Sequence, residues 1–94
     1  MRKYELVVLL KASLTQEELE KITKKLLSYI EAAKGTAVSS SLLGKKPLSY
    51  SINKNLEAIY VLFNFDLEPT TAEEVETKVK QDETVIRHLL VRKD

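Results

Sequence analysis

The chain has 94 residues, of which 44% are hydrophobic and 31% charged, with two glycines and two prolines. That is the composition of one globular domain over residues 1–94, with little material for linkers or low-complexity tails. It has no cysteine, which excludes a disulfide framework, a thiolate zinc site and a thiol nucleophile, and its formal net charge of +1 means that any affinity for a polyanion must come from a local patch.

Arg2 and Lys3 lead into a short apolar run that ends at Lys11. The run is too short for a membrane span and lacks a small-residue cleavage site, so the expectation is a cytoplasmic protein. Within it Tyr4, Leu6, Val8 and Leu10 alternate with Glu5, Val7 and Leu9. Both faces are largely apolar, as in a strand interior to a sheet. Thr15 and Glu18 then form a capping box, and Leu19, Ile22, Leu26, Tyr29, Ile30 and Ala33 repeat at helical spacing. The spacing predicts a helix from about Gln16 to Lys34 with Gly35 as its stop, and its lysines read as a solvated face. Thr36 to Leu43 is β-prone and Ser-rich, and with Gly44, Lys45, Lys46 and Pro47 it reads as an edge strand carrying a bulge or bend. Asn53-Lys54-Asn55 turns the chain. Ile59, Val61, Phe63, Phe65 and Leu67 then alternate with Tyr60, Leu62 and Asn64 in a long strand whose bulky side should cover the core. Pro69-Thr70-Thr71 opens a second helix with the stripe Ala72, Val75 and Val79, and Glu73, Glu74 and Glu76 read as acids matched to its dipole. Val85 to Val91 closes the chain as a fourth strand.

The order strand, helix, strand, strand, helix, strand is the ferredoxin-like βαββαβ pattern, an α+β sandwich. It predicts a four-stranded antiparallel sheet of order 4-1-3-2 with both helices on one face. The other face stays open and carries Val7, Leu9, Tyr60 and Leu62, an apolar patch of the kind that meets a partner unless loops and lysine stems cover it.

Arg2, Lys3, Lys45, Lys46, Lys54, Arg87, His88 and Arg92 all fall on strands or their connections, whereas the helix lysines are balanced by acids. These eight are the candidate residues for holding a polyanion such as RNA. Lys45, Lys46 and Pro47 also suit a plainer role, protecting an edge strand from pairing with other edges. Arg2 and Arg87 lie on strands expected to be neighbours, which favours a shared patch able to fork hydrogen bonds onto phosphate. A basic sheet edge would read the shape and backbone of folded RNA before its sequence. Tyr50 is expected to pack in the sheet in preference to stacking on a base. The third strand lacks the aromatic motif of RRM domains, and the lone His88 has no second histidine or cysteine for a metal site. No catalytic constellation is present, and nothing calls for a cofactor or a small-molecule substrate. Two alternatives remain, a ferredoxin-like dimeric enzyme or ligand sensor and a protein-interaction adaptor, neither of which binds RNA.

Three ordered blocks carry a family likeness: Met1-Arg2-Lys3-Tyr4-Glu5, Leu43 through Lys54 with its Gly44-Lys45-Lys46-Pro47 and Leu48-Ser49-Tyr50, and Asp82 through Val91 with Arg87-His88. Along its whole length the chain resembles the bacterial small-subunit ribosomal proteins of the S-six family. It departs from them at Leu43, where the family usually has Trp, at Ser51, commonly Pro, and at Ala58, often Gly. The resemblance implies a structural constituent of the 30S subunit that binds the central domain of 16S rRNA as a heterodimer with ribosomal protein S18, with no membrane role. It carries Arg2, Lys46 and Lys54 onto the family's basic positions and matches Arg87 and His88 to its closing Arg-His block.

Overall fold

A computed structural model describes residues 1–52 and 54–93, the side chain of Ala37 excepted. The elements are β1 (Arg2–Lys11), α1 (Gln16–Ala32), β2 (Thr36–Ile52), β3 (Asn55–Leu67), α2 (Pro69–Gln81) and β4 (Val85–Arg92). Every strand pair is antiparallel and the sheet order is β2-β3-β1-β4, the expected order read from the other edge.

The two central strands build the core by strict alternation. Tyr4, Leu6, Val8 and Leu10 of β1 and Ile59, Val61, Phe63, Phe65 and Leu67 of β3 are buried toward the helices, where Ile22, Leu26 and Ile30 of α1 and Val75 and Val79 of α2 meet them. Tyr4 faces Phe65 across the ladder, with ring centroids 6.1 Å apart and stacked. One apolar residue in two suffices to make this half of a sandwich, which is why the sequence pattern reports it so clearly.

α1 starts at the expected capping box: the Glu18 N–H donates to Thr15 Oγ1 at 3.2 Å and the Thr15 N–H to Glu18 Oε1 at 2.9 Å. Its end differs from expectation. The last helical residue is Ala32, the last turn holds no basic residue, and Lys34, not Gly35, takes the left-handed conformation at φ 65°. The Lys34 N–H donates to the Glu31 carbonyl and the Gly35 N–H to the Ile30 carbonyl, both at 2.9 Å, the pair of bonds that closes a Schellman turn. Gly35 is needed for closeness: a Cβ there would lie 2.6 Å from Ile30 Cγ2 and 3.0 Å from its carbonyl oxygen. Because a side chain in the left-handed region is strained, Lys34→Gly should raise the unfolding free energy by about 1 kcal/mol in urea titration. An unchanged or lower midpoint would show that the turn carries no such strain.

α2 also corrects one expectation. The helix begins at Pro69, so Glu73 and Glu74 stand beyond the first turn, and its dipole is met at the far end by Lys78 and Lys80. β2 is the expected bulged edge strand and continues past Pro47 to Ile52. It runs 17 residues through Gly44 and Pro47, with breaks in register at Thr36/Ser39, Leu42/Gly44 and Pro47/Ile52. Gly44 adopts φ 101° with open space where a Cβ would go, so its role there is conformational, at the bulge. Of the expected turn, Asn53 lies outside the described residues, Lys54 has φ 66°, and Asn55 already belongs to β3, its side-chain Nδ2 donating to the Ile52 carbonyl at 3.0 Å.

Candidate nucleic-acid interface

The register of the sheet sorts the candidate residues by row. Arg87, Leu9, Tyr60 and Gly44 follow one another across β4, β1, β3 and β2, and in the next row Lys11 and Lys46 flank Ala58. By alternation with the buried residues, these side chains stand on the open face. Lys46 Nζ lies 5.6 Å from the centroid of the Tyr60 ring, a cation over an aromatic face. Lys45, opposite Ile59, sits in the same region toward the helix side, and Lys54 stands at the adjoining hairpin turn. Lys11 is a member that sequence reasoning overlooked. Its signal was present, since it continues the Val7, Leu9 alternation on the open face.

Arg2 belongs elsewhere. It pairs with Leu67, while Arg87 pairs with Leu9, seven residues farther along β1. That separation is roughly 23 Å at the rise of an extended strand, so the expected patch shared by Arg2 and Arg87 does not form. The two lie at opposite ends of the sheet because antiparallel neighbours start at opposite ends. At the Arg2 end, Lys3 stands opposite Asp66, Arg92 lies opposite Tyr4, the terminal amine is 3.4 Å from Glu68, and Lys93 is 3.3 Å from Glu5. Charge there is interleaved with acid. At the other end Lys11, Lys45, Lys46, Lys54 and Arg87 gather against Glu57 and Glu83. The less neutralised cluster of this nearly neutral chain therefore lies at that end of the sheet, where no ion pair like those of Glu68 and Glu5 is seen among the named residues.

His88 is next to Arg87 in sequence and opposite it in direction. It pairs with Val8 on the helix side, and its Nε2 lies 3.6 Å from a carboxylate oxygen of Glu76 on α2. Tyr50 overturns its expectation: the side chain is 69% exposed and does not pack in the core. The open face extends farther than expected. Leu89 stands opposite Val7 and Val91 opposite Glu5, exposed by 59% and 40%, and they continue the apolar surface of Val7, Leu9 and Leu62 onto β4.

One carboxylate is built into the scaffold behind this face. Asp82 follows α2 with its side chain 5% exposed, its Oδ1 accepting the Thr84 N–H at 3.0 Å and its Oδ2 lying 3.1 Å from Lys25 Nζ on α1. Lys25 meets Oδ2 as an ion pair without the alignment of a hydrogen bond. Burial pushes the Asp82 pKa up, but the Thr84 N–H and the Lys25 charge outweigh it and hold the carboxyl below its usual range. A depressed pKa stabilises the fold above the unfolded value near 3.9, and the contribution disappears as pH falls through the folded value. Asp82→Asn should accordingly destabilise the protein at neutral pH, with the gap from wild type closing below about pH 4. Urea midpoints at both pH values check this, and a gap that stays constant would refute it.

Among the described residues no three histidine or acidic side chains are placed to hold a metal ion, and no helix is long and apolar enough to cross a membrane. The family description "Ribosomal protein S6" matches residues 3–92. The small ribosomal subunit protein bS6 of Heliobacterium modesticaldum is 39% identical over 94 residues, covering 100% of this chain and 98% of that protein. That of Micrococcus luteus is 35% identical over 92 residues, covering 98% and 91%. The crystal structure of 30S ribosomal protein S6 from Thermotoga maritima superposes with a TM-score of 0.92 at 24% identity, over 98% of this chain and 87% of that one, which establishes the shared ferredoxin-like fold. With a family match over residues 3–92 and near full-length relatives, the chain belongs to the ribosomal protein S6 family, a family of structural ribosomal proteins and not of enzymes.

Proposed function

We propose that this member of a small-subunit ribosomal family binds the central domain of 16S rRNA together with ribosomal protein S18, supporting assembly of the subunit in the cytoplasm. The observation that carries the RNA half of this reading is the collection of Lys11, Lys45, Lys46, Lys54 and Arg87 at one end of the sheet, with few acids to neutralise them. Phosphates are the ligand such a cluster suits. Arg2, Lys3 and Arg92 form a second, balanced contact at the other end, and His88, held beside Glu76, flanks the cluster from the helix side. The apolar surface of exposed Leu89 and Val91 with half-buried Leu62 and Val7 supports the partner half, since it adjoins the basic end on the same face.

With few phosphate contacts and a net charge of +1, the chain alone should bind RNA weakly and the pair cooperatively. Filter binding to a central-domain 16S RNA fragment, with and without the partner at two salt concentrations, tests this. The expected result is tight, salt-sensitive binding that appears with the partner. A chain that self-associates and ignores RNA in both arms would return the open face to the homodimer or adaptor alternatives.

A further inference from the structure

We propose that the basic end of the open face holds a cradle for one unstacked RNA base, a reading that rests on the RNA binding proposed above. β2 keeps its register with β3 to Pro47, opposite Glu57, and has lost it by Ile52. Past Pro47, the residues Leu48, Tyr50 and Ile52 line a single small cavity together with Leu9, Tyr60 and Arg87. β2 and β4 are the two edges of the sheet, with β3 and β1 between them. A cavity lined from both edges therefore means that the arm of the hairpin lies over the open face, with Leu9 and Tyr60 as the floor.

The lining matches a nucleotide in both of its parts. Two tyrosine rings and aliphatic side chains offer an apolar, polarisable surface to the face of a base, and the Arg87 guanidinium offers a fork of donors to its phosphate. The ring of Tyr60 already carries a cation, the Lys46 ammonium. A base stacked in the cradle displaces that ammonium toward the adjoining phosphate, exchanging a cation–π contact for an ion pair. Charge decides between RNA and a protein side chain as the occupant. An apolar protein side chain would fit the walls but bring no charge to Lys11, Lys46 and Arg87, whereas a nucleotide brings its phosphate to them, and Glu57 at this end alternates to the helix side. Because every base has a π face, the cradle selects for an unpaired, accessible nucleotide and not for a particular base.

The test uses the chain with its S-eighteen partner on the central-domain 16S RNA fragment. Tyr50→Ala should weaken binding by roughly 5- to 150-fold with an unchanged salt slope, because it removes stacking and no charge. Tyr50→Phe, which keeps the ring, should stay within about threefold of wild type. The 69% exposure of Tyr50 means that both variants should unfold at the wild-type urea concentration. Binding of Tyr50→Ala within about twofold of wild type overturns the cradle while leaving the ribosomal reading intact. Failure of the wild-type pair to bind the fragment removes both. A loss of the same size in association with the S-eighteen partner, measured without RNA, overturns the cradle in favour of a protein side chain in the cavity.

Discussion

Truncating Phe63 to alanine should lower the unfolding free energy by about 3–5 kcal/mol, the cost of the lost transfer energy and of the cavity left behind. Phe63 is fully buried at the middle of β3, opposite Leu6 of β1, and belongs to the cluster that both helices close over. A domain of this size has a total stability of about 5–14 kcal/mol, so the variant should lose a large share of it. The effect should reach the open face as well. Leu62 and Asn64 flank Phe63 in the chain and point the other way, so a shift of β3 that relieves the cavity disturbs both surfaces. Urea unfolding at constant slope is the measurement. A loss below about 1 kcal/mol would mean that the core is far more plastic than its burial indicates.

Reversing charge at the basic end should weaken binding and change its salt dependence. Lys46→Glu and Arg87→Glu should each weaken association with the central-domain RNA fragment by roughly tenfold or more at fixed salt and reduce the salt slope by about one, as expected for a lost phosphate contact. Both side chains are exposed, so neither change should unfold the protein. The same reversal at Arg2, where the terminal amine, Glu68, Lys3 and Asp66 already interleave charges, should cost less. Equal losses at all three positions would show that RNA contacts both ends alike. No loss at Lys46 or Arg87 would mean that the cluster does not touch RNA.

The parts of this molecule that could be read from the sequence are those governed by local rules. The alternation in β1 and β3 and the Thr15–Glu18 box were legible because burial period and capping chemistry act over a few residues. β2 was legible as a bulged edge strand as far as Pro47, and its continuation to Ile52 was not, because past Pro47 its extension depends on the fold and not on local propensity. The helix stop was assigned to the wrong residue for a physical reason: Gly35 is required by its closeness to Ile30, which leaves the left-handed turn to Lys34. At the candidate site, residue types were legible and their grouping was not. The register separates Arg2 from Arg87 and the pleat separates Arg87 from His88. The first of these follows from strand direction alone and was available from the topology.

The uneven distribution of charge along the sheet makes the protein more a dipole than a monopole. Its longest dimension is 36 Å, whereas the field of a surface charge is screened over about 8 Å at physiological ionic strength. Over distance, then, it is drawn toward nucleic acid hardly more than a neutral body would be, and the attraction sets in only at near contact. There the field acts as a torque, turning the β2–β3 hairpin end forward before the rest of the sheet arrives.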